Sequence, residues 1–342
     1  MRIVLASTFV PFINGGARFI VEWLENKLLE HGHEVERFYL PFIDAPETIL
    51  DQAAALRMMD LTEAGDRLIA FRPASYLLRH PNKVLWFIHH IRSFYDLWGG
   101  DYGPPPTPQM KAIRSALHRL DTVAISEARR VYTNSQIVAD RLKTFNGIDA
   151  QPLYPPIFMP ERFHCREYGD EIVVVCRMEP HKRQDLLIEA LKHTRTPVKL
   201  RLCGKTSGTV FSAQLKALGE TLQGKLILDD RWISEPEKAE LVAAALAVAY
   251  VPKDEDSYGY PSLEGGHAAK AVITTTDSGG VLELVEDGRN GFVCPPEPKA
   301  IAARFDQLYR DRALAQRLGE ANRDRLSALR IDWDHVVHEL TR

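Results

Sequence analysis

Two parts of the chain begin with the same local pattern, in which a short apolar run is followed by a loop and an amphipathic helix. The first run, RIVLAS, covers residues 2–7, and the second, EIVVVC, covers residues 171–176. Runs without polar alternation are typical of strands that helices cover on both faces. Strands alternating with helices indicate a parallel sheet. Because the pattern starts twice, the sequence predicts an α/β protein with two Rossmann-like domains.

The predicted domains are separated by a proline-rich segment, QPLYPPIFMPERF, at residues 151–163. Such segments are typical of interdomain linkers, and 342 residues are enough for two domains with separate cores. We expect an N-terminal domain over residues 1–162 and a C-terminal domain over residues 163–324. The loops at the carboxyl ends of both sheets would then face one ligand across a cleft.

The composition indicates which partners the protein binds and in which cellular compartment it folds. The formal net charge is −3 and the charged residues are dispersed, so nucleic acid is not an expected partner. The short apolar start is unlike a secretory signal or a membrane span. The cysteines lack CxxC spacing, which is typical of reduced thiols in a cytoplasmic protein; they are Cys165, Cys176, Cys203 and Cys294.

A glycine pair, Gly15 and Gly16, precedes the first predicted helix. It lacks the G-x-G-x-x-G spacing that a dinucleotide requires, which disfavours a nicotinamide enzyme. Glycines at a helix N-terminus allow backbone N–H groups to approach an anionic or hydroxyl-rich ligand. A flexible turn explains the pair equally well.

Two cations, Arg177 and Lys182, follow the first strand of the second domain, with Pro180 between them and a helix beginning at about Lys182. A guanidinium and an ammonium beside a helix N-terminus favour a diphosphate. The alternative is a pair of solvated loop side chains.

Two acids, Asp256 and Glu264, are separated by seven residues, and Pro261 suits a first helical position between them. Carboxylates accept hydrogen bonds from sugar hydroxyls. The loop between the acids would present backbone amides, and a glycine in it would let a ligand come close; the loop residues are Ser257, Tyr258, Gly259 and Tyr260. A helix N-terminus stabilised by the dipole would explain Glu264 alone.

In this order and spacing, the motifs resemble those of retaining GT-B glycosyltransferases of the family 4 (group 1) type. The resemblance runs through most of the chain. It is carried by the Gly15-Gly16-Ala17 loop, GHEV, TNSQIVADRL, YPPI, RMEPHKRQDLLIEAL, the 256–264 block, DSGGVLELVEDGRNGFV and DWDHVVHEL. The resemblance implies transfer of a hexose from a nucleotide-diphosphate sugar, such as GDP-mannose or a UDP-sugar, with retention at the anomeric carbon.

The resemblance also implies roles for the site residues. Glu264 would hold the ribose and Asp256 the donor sugar, while Arg177 and Lys182 would hold the diphosphate. The family usually has Glu where this chain has Asp256, so the neighbouring Glu255 is an alternative for that role. Because these cations and helix-terminal amides would stabilise the leaving group, we expect neither a metal ion nor a cofactor besides the nucleotide sugar.

The acceptor side is expected in the first domain. His89 follows an apolar strand at the place where the family keeps a histidine near the sugar, and His90 is the alternative. We expect the acceptor side to be shaped by Arg92, Tyr95 and Asp96.

The acceptor would be a glycan or a lipid-linked hydroxyl in surface polysaccharide or glycoconjugate synthesis. A last helix at about 325–342 would pack back on the first domain. Basic residues could contact the inner face of the cell membrane, although a solvated helix face explains them too; they are Lys111, Arg114 and Arg119. The rival functions are a nucleotide-sugar epimerase or phosphorylase on the same frame and a non-catalytic sugar-nucleotide sensor.

Overall fold

The computed structural model of the chain describes residues 1–9, 16–100, 103–222 and 224–342. The chain forms two compact units. Unit 1 comprises Met1–Pro155 and Ile331–Arg342, and unit 2 comprises Pro156–Arg330. The division between the units lies inside the proline-rich segment, between Pro155 and Pro156. The boundary expected from the sequence is residue 162, a few residues later.

Unit 1 contains a parallel sheet whose strands follow short apolar runs. The strands are β1 (Arg2–Phe9), β2 (Glu34–Pro41), β3 (Arg67–Ala70), β4 (Lys83–Phe87), β5 (Arg130–Thr133) and β6 (Gln151–Pro152). They form a six-stranded sheet in the order β2-β1-β3-β4-β5-β6. The chain order reverses between β1 and β3, whose register pairs Ala6 with Ala70. Ligands of such sheets bind beside the carboxyl ends of the strands at this switch point.

The helices of unit 1 cover both faces of this sheet. They are α1 (Gly16–Glu30), α2 (Ile49–Met58), α3 (Pro108–Ser126) and α4 (Gln136–Asn146). The hydroxyls of Thr107 and Ser135 cap α3 and α4 by accepting from the backbone N–H of Met110 and Val138. Strands β3 and β4 are buried along their whole length, as expected of central strands in a doubly covered sheet.

Unit 2 repeats the architecture. Its strands are β7 (Glu171–Val175), β8 (Lys199–Cys203), β9 (Leu226–Asp229), β10 (Ala247–Ala249), β11 (Val272–Thr275) and β12 (Gly291–Cys294). They form a six-stranded sheet in the order β12-β11-β10-β7-β8-β9. The described ladders are parallel, and β7 pairs with β10 through Ile172 and Ala247. The switch point of unit 2 therefore lies between β7 and β10.

The helices of unit 2 are amphipathic elements packed on the sheet. They are α5 (Gln184–Lys192), α6 (Thr209–Gly219), α7 (Glu235–Ala244), α8 (Tyr260–His267), α9 (Val281–Leu284), α10 (Pro298–Arg310) and α11 (Arg312–Ala328). The apolar face of α5 buries Leu187, Ile188 and Leu191 against the sheet. A short 3₁₀ turn at Pro180–Lys182 leads into α5.

The chain returns to unit 1 at its last helix, α12 (Trp333–Thr341). The Trp333 ring meets Trp86 of β4 edge-on at 6.4 Å between centroids. The hydroxyl of Tyr132 donates to the Glu339 carboxylate at 2.8 Å, and Arg67 donates to the Leu340 carbonyl at 2.7 Å. The preceding helix, α11, belongs to unit 2, so the element that joins unit 1 begins at Ile331 and not at about 325.

The predicted α/β class with two Rossmann-like sheets is confirmed. The apolar runs at residues 2–7 and 171–176 form the first strand of each unit, β1 and β7. Among the described residues, no helix is long and apolar enough to cross a membrane.

Candidate functional site

The predicted phosphate-binding cations lie at the switch point of unit 2. Arg177 and Lys182 follow β7, and the acidic loop with Glu255 and Asp256 follows β10, its neighbour in the sheet. Parallel strands end at one edge, so the topology brings these two loops together. Segments far apart in the sequence thereby form one polar cluster.

Lys182 is the centre of this cluster. Its ammonium donates to the Tyr250 hydroxyl at 2.7 Å and forms a short ion pair with the Glu255 carboxylate. The Tyr250 hydroxyl in turn donates to the same carboxylate oxygen of Glu255 at 2.9 Å. Burial opposes ionisation of Glu255, but Lys182 and these hydrogen bonds outweigh it and lower the pKa of the carboxyl. The result is a compensated ion pair at the end of β10.

The structure therefore places Glu255 against Lys182, whereas the seven-residue spacing favours Asp256 as the first acid. Asp256 is partly exposed one residue further along the loop. An ammonium has three donors, so Lys182 retains capacity beyond Tyr250 and Glu255. The choice between Glu255 and Asp256 for the donor sugar stays a prediction.

Arg177 lies in the same loop as Lys182, but its side chain is more exposed to solvent. Its guanidinium pairs with Glu179 at 2.8 Å and is about half exposed. The carbonyl of Arg177 accepts from the Gln184 amide at 3.1 Å, which fixes the backbone against the start of α5. Arg177 is thus positioned by its main chain while its charged end is accessible.

Arg183, which the sequence analysis did not single out, organises the edge of the sheet. Its Nε donates to the Val251 carbonyl at 2.7 Å, and its Nη2 donates to the Pro252 carbonyl at 2.8 Å. The guanidinium also binds both carboxylate oxygens of Asp277 at 2.8 Å and the Thr275 hydroxyl at 2.7 Å. It ties the loop after β7 to the ends of β10 and β11. Nothing in the local sequence distinguishes Arg183 from a solvated neighbour of Lys182.

The glycine at position 259 has a packing role that differs from the predicted one. Its φ is +69°, in the left-handed region, and a Cβ there would lie 2.1 Å from the Tyr250 ring. The space beside Gly259 is therefore occupied by Tyr250 and not open for a ligand. Gly280 likewise lets a second loop approach Ser257, and its N–H donates to the Glu255 carbonyl at 2.8 Å. Both glycines therefore allow close packing around the acidic loop.

The two tyrosines of the acidic loop are withdrawn from solvent to different degrees. Tyr258 is almost fully buried, and Tyr260 is partly buried as the first residue of α8. Pro261 is the second helical residue and not the first. The presentation of backbone amides by this loop to a ligand stays a prediction.

Glu264 lies inside α8 with 5% of its surface exposed. Its carboxylate accepts from the Lys238 ammonium of α7 at 2.6 Å, and Lys238 also pairs with Glu235 at 2.9 Å. Burial raises the pKa of Glu264, and the contact with Lys238 acts in the opposite direction. The predicted ribose acid is thus held by a lysine whose role the sequence did not indicate.

The two histidines after β4 have different environments. His90 is buried, its Nε2 lies 2.8 Å from the Asn146 side-chain oxygen, and its ring stacks on Tyr95 at 4.1 Å. Burial lowers the pKa of His90 to about 4, so it is neutral. His89 is partly exposed, and its Nδ1 donates to the His90 carbonyl at 2.6 Å. His90 is therefore structural, and His89 has the more accessible ring.

Of the three predicted acceptor-side residues, Tyr95 is a core residue. It is 2% exposed and its hydroxyl donates to buried Asp121 at 2.6 Å. Because its side chain is buried, Tyr95 offers no surface to an acceptor. Arg92 and Asp96 form an ion pair at 2.6 Å and are partly exposed, so their acceptor role stays a prediction.

Three further predictions involve unit 1. Gly15 lies outside the described residues, and Gly16 is the first residue of α1. In α3, Lys111 and Arg119 are exposed, while Arg114 donates to the Phe94 carbonyl at 2.9 Å and lies 5.1 Å from the Trp98 ring centroid. Arg114 is thus engaged with the protein, which weakens the basis for a membrane-binding helix face.

Comparison with known proteins relates unit 2 to one family. Residues 162–325 match the family described as Glycosyl transferases group 1. The Alpha-1,3/1,6-mannosyltransferase ALG2 of Homo sapiens is 24% identical over 289 residues, which cover 76% of this chain and 67% of ALG2. The Alpha-maltose-1-phosphate synthase of Mycolicibacterium smegmatis is 24% identical over 322 residues, which cover 84% of this chain and 80% of the synthase.

A solved structure extends the likeness to the whole chain. The crystal structure of Anabaena Alr3699/HepE in complex with UDP superimposes with a TM-score of 0.73. The match covers 99% of this chain and 98% of that protein at 15% identity. At this identity the match shows a shared fold, and it agrees with the predicted GT-B class.

Proposed function

The chain is a group 1 glycosyltransferase, and we propose that it transfers a hexose from GDP-mannose or a UDP-sugar to a hydroxyl of a glycan or lipid-linked acceptor. The transfer would proceed with retention at the anomeric carbon and without a metal ion. The observation that carries the proposal is the cluster of Lys182, Tyr250 and Glu255 at the switch point of unit 2.

In this proposal the donor lies along the carboxyl edge of unit 2. Lys182 and Arg177 hold the diphosphate, and Glu264 holds the ribose. Either Asp256 or Glu255 accepts from the sugar hydroxyls. A diphosphate bound to Lys182 would compete with Glu255 for the lysine ammonium. Binding of the donor would therefore weaken the ion pair between Lys182 and Glu255.

The charges of the site suit departure of a diphosphate. As the anomeric C–O bond breaks, negative charge develops on the leaving phosphate, and the ammonium of Lys182 and guanidinium of Arg177 stabilise it. For retention, the acceptor oxygen forms its new bond on the face that the diphosphate leaves. The acceptor proton passes to a phosphate oxygen of the leaving group, so no side chain is required as a nucleophile.

The names of relatives guide the choice of donors and setting. ALG2 is named as a mannosyltransferase, and the HepE structure was solved with UDP. We therefore propose GDP-mannose and UDP-glucose as the first donors to test. The product would belong to a surface polysaccharide or glycoconjugate made in the cytoplasm, at the inner face of the cell membrane.

The test is a product assay with each donor and a panel of alkyl glycosides as acceptors. Mass spectrometry should detect a hexose added to an acceptor, and the anomeric proton coupling in NMR should show the donor configuration retained. The chelator EDTA should leave the rate unchanged. A product that is an isomer of the donor or a free sugar phosphate would instead support an epimerase or a phosphorylase.

A matched pair of lysine variants links the assay to the site. Lys182→Met should lower kcat by about a hundredfold, because it removes an electrostatic partner of the leaving group. Lys192→Met is the control, since Lys192 pairs with Glu189 at 2.7 Å on the surface of α5. Equal activity of the two variants would remove Lys182 from the mechanism.

A further inference from the structure

The switch point of unit 1 has an arginine at its edge. Arg72 lies two residues beyond the end of β3, and Thr8 lies at the carboxyl end of the adjacent strand β1. The register aligns Ala6 with Ala70, so the two residues are at the same height on neighbouring strands. This is the crevice in which a doubly wound sheet binds its ligand.

The guanidinium of Arg72 has very few partners for a partly buried cation. Within the part of the chain that the structure describes, its one hydrogen bond runs from Nη1 to the Thr8 carbonyl at 3.4 Å, and its buried Nε has none. Among the described residues no acid forms an ion pair with it. Burial lowers the pKa of Arg72.

Other arginines of unit 1 that are withdrawn from solvent have more or closer partners, although the Nε of Arg67 is also unpaired. Arg67 donates to the carbonyls of Leu340 and Arg342 at 2.7 and 3.0 Å. Arg141 contacts the Asp96 carboxylate at 3.3 Å. Since a guanidinium stays protonated in proteins, Arg72 bears the desolvation cost of a charge for which the described residues provide no counter-ion.

The same edge of the sheet carries further hydrogen-bonding groups. Asn134 follows β5 and is 5% exposed, and its side-chain oxygen accepts no hydrogen bond. His89 follows β4, the strand between. An anion with hydroxyl groups would satisfy the cation and use the free acceptor of Asn134. Burial without a partner is costly for both groups, which argues for a ligand.

We propose that Arg72 binds an oxyanion of the acceptor, a phosphate or carboxylate group, in the switch-point crevice of unit 1. The inference rests on the proposed function and specifies its acceptor as an anionic molecule. A guanidinium suits this task because it donates two parallel hydrogen bonds to an oxyanion. The donor diphosphate has its own cations, Arg177 and Lys182, in unit 2.

The test measures Tm with two phosphate probes that separate the sources of such an anion. Glycerol 3-phosphate represents a soluble phosphate ester, and dodecyl phosphate in neutral detergent micelles represents a lipid-borne one. Glycerol and the detergent alone are the uncharged references. At least one phosphate probe should raise the Tm of the wild type by several degrees, and the better probe identifies the source.

Three variants locate the effect. Arg72→Met should lose the shift, and without any probe it should be as stable as the wild type or more so, because an uncompensated charge is removed. Arg2→Met, which removes an exposed cation at the opposite end of β1, should keep the shift. Lys182→Met should also keep it. The proposal is overturned if neither probe stabilises the wild type, or if Arg72→Met responds as the wild type does.

A separate arm with UDP and GDP distinguishes this inference from the proposed function. Nucleotide binding should be the same in the wild type and in Arg72→Met, since the donor site lies in unit 2. A nucleotide shift without a phosphate shift at Arg72 would contradict the inference alone. A phosphate shift at Arg72 without nucleotide binding would contradict the donor site alone.

Discussion

Asp121 is an acid in the interior of unit 1. It is buried in α3, and its carboxylate accepts from Tyr95, whose ring is stacked between His90 at 4.1 Å and His118 at 4.0 Å. Burial raises the pKa of Asp121 to about 7, with the Tyr95 hydrogen bond acting in the opposite direction. The carboxyl is therefore partly protonated near neutral pH.

This raised pKa makes stability depend on pH in a defined direction. The folded state binds the Asp121 proton more tightly than the unfolded state, so the contribution is complete below the unfolded pKa near 4 and is lost as pH rises to about 7. Relative to Asp121→Asn, the wild type should lose roughly 2 kcal/mol of unfolding free energy between pH 5 and 7. Urea denaturation at both pH values measures this difference.

The comparison with Asp121→Asn separates Asp121 from its titrating neighbours. His90 has its pKa lowered to about 4, and burial lowers the pKa of His118. Both histidines titrate in the variant as well, so their contributions cancel in the difference. A difference that does not change with pH would show that Asp121 is ionised in the folded protein throughout this range.

At the residue scale the sequence could predict which residue types meet but not which atoms pair. The apolar run before His89 and His90 placed both at the end of a strand, whereas the contact with Asn146 that makes His90 structural comes from a helix far along the chain. Tyr95 was expected on the acceptor side, whereas its hydroxyl donates to Asp121 in the interior of unit 1. The seven-residue spacing favoured Asp256 as the acid at the donor sugar, whereas in the structure the Glu255 carboxylate contacts Lys182.

Among the elements, the ends of β7, β10 and β11 depend on a single side chain. Arg183 bonds to the carbonyls of Val251 and Pro252 and to Asp277. These contacts lie directly before the acidic loop, whose Asp254 N–H donates to the Asp277 carbonyl at 2.9 Å. The position of the loop should therefore depend on Arg183.

Arg183→Met should lower the unfolding free energy by about 2 to 4 kcal/mol, because it leaves strand-end carbonyls and a carboxylate without their donor. Arg177→Met is the control, since this half-exposed arginine has the Glu179 pair and its loss should change stability by no more than about 0.5 kcal/mol. Equal urea midpoints for the two variants would show that Arg183 does not hold these strand ends.

The first strand of each unit was predictable from sequence because its apolar run is short, continuous and followed by a helical pattern. Contacts between elements were not. Lys238 reaches Glu264 from the adjacent helix α7, and Arg183 reaches Asp277 from the loop after β7, two strands away from β11. Such residues come together only through the packing and order of the elements, which the local periodicity of the sequence does not predict.

On the scale of the whole molecule, each unit has its own doubly wound sheet and a cation at its switch point. In unit 2 the cation is Lys182, which Glu255 compensates internally. In unit 1 it is Arg72, for which the described residues supply no acid. This difference fits a donor site that is electrostatically complete without ligand and an acceptor site that is completed by its ligand.

The central claim is that the switch point of unit 2 binds the diphosphate of a nucleotide sugar. The most direct test is calorimetric titration of UDP and GDP into the wild type, Lys182→Met and the control Lys192→Met. One nucleotide should bind the wild type and the control equally, and Lys182→Met should bind it about tenfold to a hundredfold more weakly, as expected for loss of a charged hydrogen bond. Equal binding by all three proteins, or no binding of either nucleotide, would contradict the claim.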